Sequence, residues 1–337
     1  MRKLIFAVVL LLCIMFVIGQ LAEVQAIADT LRQGDWRFIL LGLIVETAWL
    51  VTVALSYRAI FQATGVDEKI NKLILMSAAA NFLNVVAPTA GMGGMAVFIS
   101  GARQRGYSSG RVTVAGVLYV LFDYAGFLCV LTVGLLILIR RNNINAAELG
   151  ASAILVSIAI VLATLLYLGM RSAAALGKAL AWMARQVNRL LRPFTHREYL
   201  SEDRAHQFAN DAAEGLRELR HNPKNLILPM ALALGNKALL ISILSLTFLA
   251  FQIPFSVGTI IAGFSIAYLF LIVSPTPSGI GVVEGALTIA LGSLYVPLGA
   301  AAVITLAYRG ITFWIPLLFG LFAFRILSHQ ETLNTIA

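Results

Sequence analysis

The chain has 337 residues, of which 60% are hydrophobic and 12% charged, and its mean hydropathy of +0.89 lies outside the range of soluble globular domains. This excludes a water-soluble enzyme or nucleic-acid-binding domain and predicts an all-α integral membrane protein, a single membrane domain over 1–337. The formal charge of +9 is then informative through its placement along the chain.

The first apolar run, 4–18, follows Arg2 and Lys3 and has no small-x-small site directly after it, so it reads as an uncleaved signal-anchor. Helix two, 37–57, carries one interior charge, Glu46. The run 72–87 ends in Asn81-Phe-Leu-Asn84-Val-Val-Ala-Pro88, and Thr89-Ala-Gly91-Met-Gly-Gly94-Met95-Ala follows before a short apolar stretch to Ile99. Both limbs are short for a spanning helix, which needs about 20 residues. A re-entrant hairpin fits these lengths.

Helix three, 111–139, carries Asp123, and helix four covers 150–170. In 172–192, Leu176, Leu180, Met183, Val187 and Leu190 recur at spacings of three and four, with Lys178, Arg185, Arg189, Arg192 and Trp182 around them. This is a basic amphipathic helix suited to an anionic inner leaflet. A polar helix, 201–220, completes a cytoplasmic segment over 171–225.

The second unit repeats the order of the first. Helix five, 226–251, carries Asn236 and Lys237; the short run 257–273 reaches Pro275; helix six, 298–324, carries Tyr308 and Arg309. Between them lies Ser274-Pro-Thr276-Pro-Ser278-Gly279-Ile-Gly281-Val-Val-Glu284-Gly. Its prolines lack N–H donors and its glycines weaken helical order. Non-helical backbone at membrane depth survives only where it is buried in protein or lines a wet cavity.

The expected architecture is therefore about six spanning helices plus two glycine- and proline-broken re-entrant hairpins, or eight spans if the hairpins cross. Basic residues in short loops set orientation. Arg58, Lys69, Lys72, Arg103, Arg105, Arg111 and Arg325 place their loops and both termini in the cytoplasm, with Arg32, Arg37, Arg140 and Arg141 opposed. The units 37–139 and 226–325 then enter from opposite sides. That is an inverted-topology repeat, in which transporter sites form where broken helices meet.

The stretch from Pro275 to Glu284, followed by Ala307-Tyr308-Arg309-Gly-Ile-Thr-Phe-Trp-Ile-Pro316, resembles the C-terminal signature of the lysylphosphatidylglycerol synthase transmembrane family, whose members are also called flippase-like. The stretch from Asn81 to Gly94 and the surroundings of Asp123 are similar to its N-terminal signature. Where this chain has Met95 and Phe98, family members often have an acidic residue and a nearby arginine, and an arginine about three residues before Asp123 is also missing. The resemblance implies a stand-alone lipid or lipid-linked-substrate translocator of the cytoplasmic membrane. It implies a membrane lipid partner with an anionic or polyprenyl-linked headgroup, and a soluble lipid-modifying synthase as a further partner.

Five charges lie within apolar segments: Glu46, Asp123, Lys237, Glu284 and Arg309. Centre-of-helix insertion costs roughly 2.5 to 3.5 kcal/mol for Asp, Lys or Arg, so each must face a partner or water. Positional equivalence suggests intramembrane pairs Glu46–Lys237 and Asp123–Arg309. Glu284 is left as a coupling group, as a gate that pairs with Arg309 when no substrate is bound, or as a carboxylate at a helix N-terminus. Arg309 is the best candidate for a lipid phosphate, because its fork matches phosphate oxygens bidentately. Tyr308, Pro275, Thr276, Ser278, Asn81, Asn84, Pro88 and Thr89 are candidate lining residues, with helix capping open for the asparagines. Gly91, Gly279 and Gly281 let backbone approach a headgroup or simply permit turns.

No phosphate-binding P-loop, nucleophile elbow or metal-ligand spacing is present, so neither an enzyme nor a metal site is expected, and no cofactor. Cys13 and Cys129 read as packing residues. The competing reading is a membrane-embedded subunit or enzyme of lipid or glycolipid synthesis, on an aminoacyl- or glycosyl-lipid pathway. A third is a scaffold whose 171–224 segment recruits a soluble synthase.

Overall fold

The computed structural model describes residues 26–86, 92–103, 106–141, 146–191, 207–213, 216, 223–274 and 276–336. Every element among them is helical. The predicted helix at 4–18, most of the polar segment 192–222, the first hairpin's tip with Pro88, Thr89 and Gly91, and Pro275 lie outside the described residues.

After a helical stretch at 26–33, α1 (Trp36–Ala63) starts where the Asp35 carboxylate accepts from the Arg37 N–H at 3.0 Å. The first broken unit is α2 (Ile70–Val86) and α3 (Met92–Arg103), and α4 (Ser109–Arg140) is capped by Ser108. Next come α5 (Ala146–Arg171) and α6 (Ala173–Leu191), then α7 (Ile227–Ala250). The second broken unit is α8 (Val257–Val273), capped by Ser256, and α9 (Val282–Ser293). α10 (Leu298–Arg309) runs through a single π-helical turn, Gly310–Trp314, into α11 (Ile315–Ile336).

Five helical stretches among the described residues are long and apolar enough to cross a membrane: Trp36–Ala63, Ser109–Arg140, Ala146–Arg171, Lys224–Ala250 and Leu298–His329. They are sequence helices two to six. Their outer faces show why the chain is so hydrophobic. On α1 the side chains of Trp36, Leu40, Leu41 and Ile44 are exposed while Gly42, Glu46 and Val53 are buried, so apolar residues occupy the face that meets lipid as well as the face that meets protein.

The two broken units have equal limbs, 17 and 12 residues in each. A 12-residue helix rises about 18 Å, well short of the roughly 30 Å hydrocarbon layer. In the first unit the two ends are tied together: Lys72 Nζ donates to the Gly101 carbonyl at 3.5 Å, and the Asp67 N–H meets the Tyr107 hydroxyl at 3.3 Å. At the opposite pole the Asp35 N–H donates to the Ala250 carbonyl at 2.8 Å, and Arg141 reaches Ser256 at 3.2 Å. The loops assigned to a common side from their charges thus meet in space.

The halves interlock. α1 packs along α7, α2 lies on α11, and α8 lies on α4, so each broken unit rests against the other unit's closing helix. Gly320 is what lets α11 approach α2: a Cβ there would sit 2.5 Å from the Ala78 carbonyl oxygen. Two apolar cores result. One gathers Ile60, Phe61, Leu73, Met76, Phe98 and Leu118; the other gathers Phe127, Leu240, Phe264, Leu287 and Ile304. On α4, Asp123 falls between Leu118 of the first core and Phe127 of the second.

Candidate functional site

The buried charges collect at the junction of the two cores. Lys237 on α7 is 1% exposed and lies 2.6 Å from Asp123 Oδ1 on α4. The Tyr268 hydroxyl on α8 donates to Asp123 Oδ2 at 2.8 Å, and the Lys237 ammonium sits 3.8 Å from the Tyr268 ring centre. Both carboxylate oxygens of Asp123 are therefore committed. A cation and an anion in a low-dielectric interior must compensate each other in this way, since either alone would carry its whole desolvation cost.

The second pair is built on the break itself. Gly279 and Gly281 adopt φ of 72° and 79°, and Ser278 a φ of 50°, so the chain turns sharply and α9 begins at Val282. Thr276 holds the turn: its hydroxyl bonds to the Ile280 carbonyl at 2.9 Å and to Ser274 at 2.8 Å. Glu284, in the first turn of α9, then meets Arg309 Nε at 2.5 Å, and Arg309 Nη2 donates to the Ser278 carbonyl at 3.1 Å. The guanidinium lies 4.6 Å from the Phe313 ring centre, across the π-helical turn. Such turns widen a helix locally and recur at functional sites. The other Glu284 oxygen, Oε2, is buried without a partner among the described residues. The helix-N-terminus and gate-pair readings of Glu284 describe the same geometry.

The ion pairs join different partners from those expected: Asp123–Lys237 and Glu284–Arg309 replace Glu46–Lys237 and Asp123–Arg309. The reason is azimuth. Adjacent residues on a helix point about 100° apart, and it is Asn236 that faces α1, its Nδ2 lying 3.5 Å from the Ser56 hydroxyl. Lys237 consequently turns toward α4 and α8. Glu46 is fully buried with both carboxyl oxygens unpartnered among the described residues, and Tyr308 lies within its electrostatic reach.

A partly enclosed cavity of about 220 Å³ opens at this junction. Arg309, Tyr308, Ser278, Asn81, Tyr268 and Trp49 supply its polar lining. A smaller one of about 120 Å³ adjoins it, sharing Trp49 and Asn81 and adding Tyr57, Ser77, Asn84 and Tyr119. Asn84 also accepts from the Gly94 N–H at 2.7 Å, so it ties the start of α3 to α2 while lining the cavity. A wider depression of about 640 Å³ sits at the Asp35–Ala250 pole. It is more open and reaches neither ion pair, so the cavity at the Arg309 junction is the better site.

Of the sequence candidates, Arg309, Tyr308, Ser278 and Asn81 line the larger cavity, and Asn84 the smaller; Glu284 positions Arg309, and Thr276, Gly279 and Gly281 shape the turn. Sequence reasoning missed Trp49, Tyr57, Tyr119, Tyr268 and Phe313. The signal available was a polar-tipped aromatic in an apolar run, with Trp49 three residues after Glu46 and Tyr268 in the middle of 257–273.

Comparison with curated proteins finds no match. The profile described as Lysylphosphatidylglycerol synthase TM region matches residues 4–320, nearly the whole chain. A helical membrane protein with a polar cavity between interlocked halves, it belongs to the lysylphosphatidylglycerol synthase transmembrane-region family.

Proposed function

We propose that this protein is a flippase-like secondary transporter that moves a lipid or lipid-linked substrate between leaflets of the cytoplasmic membrane. The observation that carries this reading is the partly enclosed cavity lined by Arg309, whose guanidinium is held by Glu284 and by the Ser278 carbonyl. Arg309 commits Nε to Glu284 and Nη2 to Ser278, leaving Nη1 without a hydrogen bond to another described residue. A lipid phosphate entering the cavity takes the Nη1–Nη2 side of the fork, and its charge competes with Glu284 for the guanidinium. Release of Glu284, one of whose oxygens is already unmatched, then calls for a proton or cation on that carboxylate.

The equal limbs of the broken units and their exchange of packing partners support an inverted repeat with re-entrant hairpins. The loop charges support both termini being cytoplasmic. No step of this scheme breaks a covalent bond, so the protein acts as a carrier and not as an enzyme. A soluble lipid-modifying synthase would supply its substrate.

The test is a leaflet-resolved headgroup assay with the purified chain in proteoliposomes holding anionic glycerophospholipids and a polyprenyl phosphate lipid. Protein-dependent redistribution of at least one of them is expected. Unchanged distribution across the panel would overturn the proposal.

A further inference from the structure

The smaller cavity differs in chemistry from the one beside it. Its polar lining is Tyr57, Ser77, Asn81, Asn84, Trp49 and Tyr119, with no charged side chain. The rings are held in place: Tyr57 stacks on Tyr119 with centroids 4.1 Å apart and on Phe98 at 4.3 Å. The Ser77 hydroxyl is buried without a hydrogen-bond partner among the described residues. Asn81 and the hydroxyls of Tyr57 and Tyr119 likewise make no hydrogen bond to another described residue. Buried polar groups are nearly always satisfied, so a cavity walled by several neutral donors and acceptors with no partner among the described residues matches a ligand that carries the same groups.

We propose that this cavity is a headgroup subsite for a small neutral polyol attached to the phosphate at Arg309. The proposal rests on the translocator reading and narrows its substrate class. Because Trp49 and Asn81 line both cavities, a phosphate in the larger one places its substituent in the smaller. The volume, about 120 Å³, equals about four waters at ~30 Å³ each, which suits a glycerol or one face of a sugar ring. Aromatic faces accept the C–H side of such a group, while Ser77, Asn81 and the tyrosine hydroxyls exchange hydrogen bonds with its O–H groups. A cationic aminoacyl substituent finds no carboxylate here. The oxygens of Asp123, at the junction of the two cores, are held by Lys237 and Tyr268.

The experiment is a headgroup panel in proteoliposomes containing the full chain. It compares phosphatidylglycerol, phosphatidylinositol and a hexosyl phosphoprenol with phosphatidic acid and lysylphosphatidylglycerol. The polyol-bearing lipids should move about tenfold faster than the other two, the discrimination that one or two neutral hydrogen bonds provide. The first two polyol arms against the third separate a glycerolipid source from a polyprenyl one. Ser77→Ala, which removes an unpartnered hydroxyl and so spares the fold, and Asn81→Ala should each lower that ratio several-fold. Equal rates for phosphatidic acid, a faster rate for lysylphosphatidylglycerol, or a ratio unchanged in both variants would overturn the polyol subsite while leaving translocation intact. If none of the five lipids moves, the translocator reading falls and the subsite with it.

Discussion

The two buried ion pairs are not interchangeable residues of one motif; each is a separate electrostatic commitment with its own penalty when broken. Lys237→Met leaves the Asp123 carboxylate facing an apolar interior and should lower stability by about 3–5 kcal/mol. The double variant with Asp123→Asn should recover most of that loss, which thermal unfolding in detergent will measure. Glu46 is the opposite case. Its carboxyl is buried with no hydrogen bond, so Glu46→Leu removes an unsatisfied polar group at similar volume and should raise stability by about 1–3 kcal/mol. A fall in unfolding temperature for Glu46→Leu would mean that Glu46 has a partner beyond the described residues. The sequence disclosed that these charges must be compensated, because burial energetics depend on residue type alone. Which charge meets which depends on helix azimuth, and the spacing between Asn236 and Lys237, one residue, was enough to send one toward Ser56 and the other toward Asp123.

At the scale of elements, the first limb of the second broken unit was legible in the sequence. The Ser-Pro-Thr-Pro break ends the apolar run 257–273, and α8 spans Val257–Val273, with Ser256 as its cap in the structure. The break does more than stop a helix, since its backbone hands Arg309 a carbonyl from Ser278. Gly279→Ala places a side chain at φ 72° and against Val283, so it should cost about 1–2 kcal/mol in backbone strain alone. It should also reduce transport by loosening the Ser278–Arg309 contact, seen as a larger fall in transport rate than in unfolding temperature. The close approach of α11 to α2 at Gly320 was not legible, because a glycine in an apolar helix carries no record of what it packs against. Gly320→Leu should separate these helices and destabilise the fold, whereas Gly285→Ala, where a Cβ meets nothing within 4 Å, should be tolerated; parallel melting curves separate the two.

At the scale of the molecule, loop charge and three-dimensional contact group the same loops together. The charge pattern set Arg32, Arg37, Arg140 and Arg141 opposite the other basic loops, and in the structure Asp35 bonds to Ala250 and Arg141 reaches Ser256. With Cys13 and Cys129 replaced by serine, cysteines introduced at Gln33 and Gln252 should react with an impermeant thiol reagent in intact cells, and one at Ser172 only after lysis. The reverse pattern would invert the orientation. What the sequence could not disclose was the aromatic wall of the cavities, because Trp49, Tyr57, Tyr119 and Tyr268 read as ordinary apolar packing until two halves of the chain fold against each other. The central claim is that the Arg309 cavity carries a lipid phosphate across the bilayer. It is tested most directly by the initial rate of anionic-lipid redistribution in proteoliposomes for the native chain and for Arg309→Lys, which keeps the charge but loses the fork. The account predicts a rate at least about tenfold lower for Arg309→Lys, the worth of one charge-assisted hydrogen bond. Equal rates for the two folded proteins would contradict it.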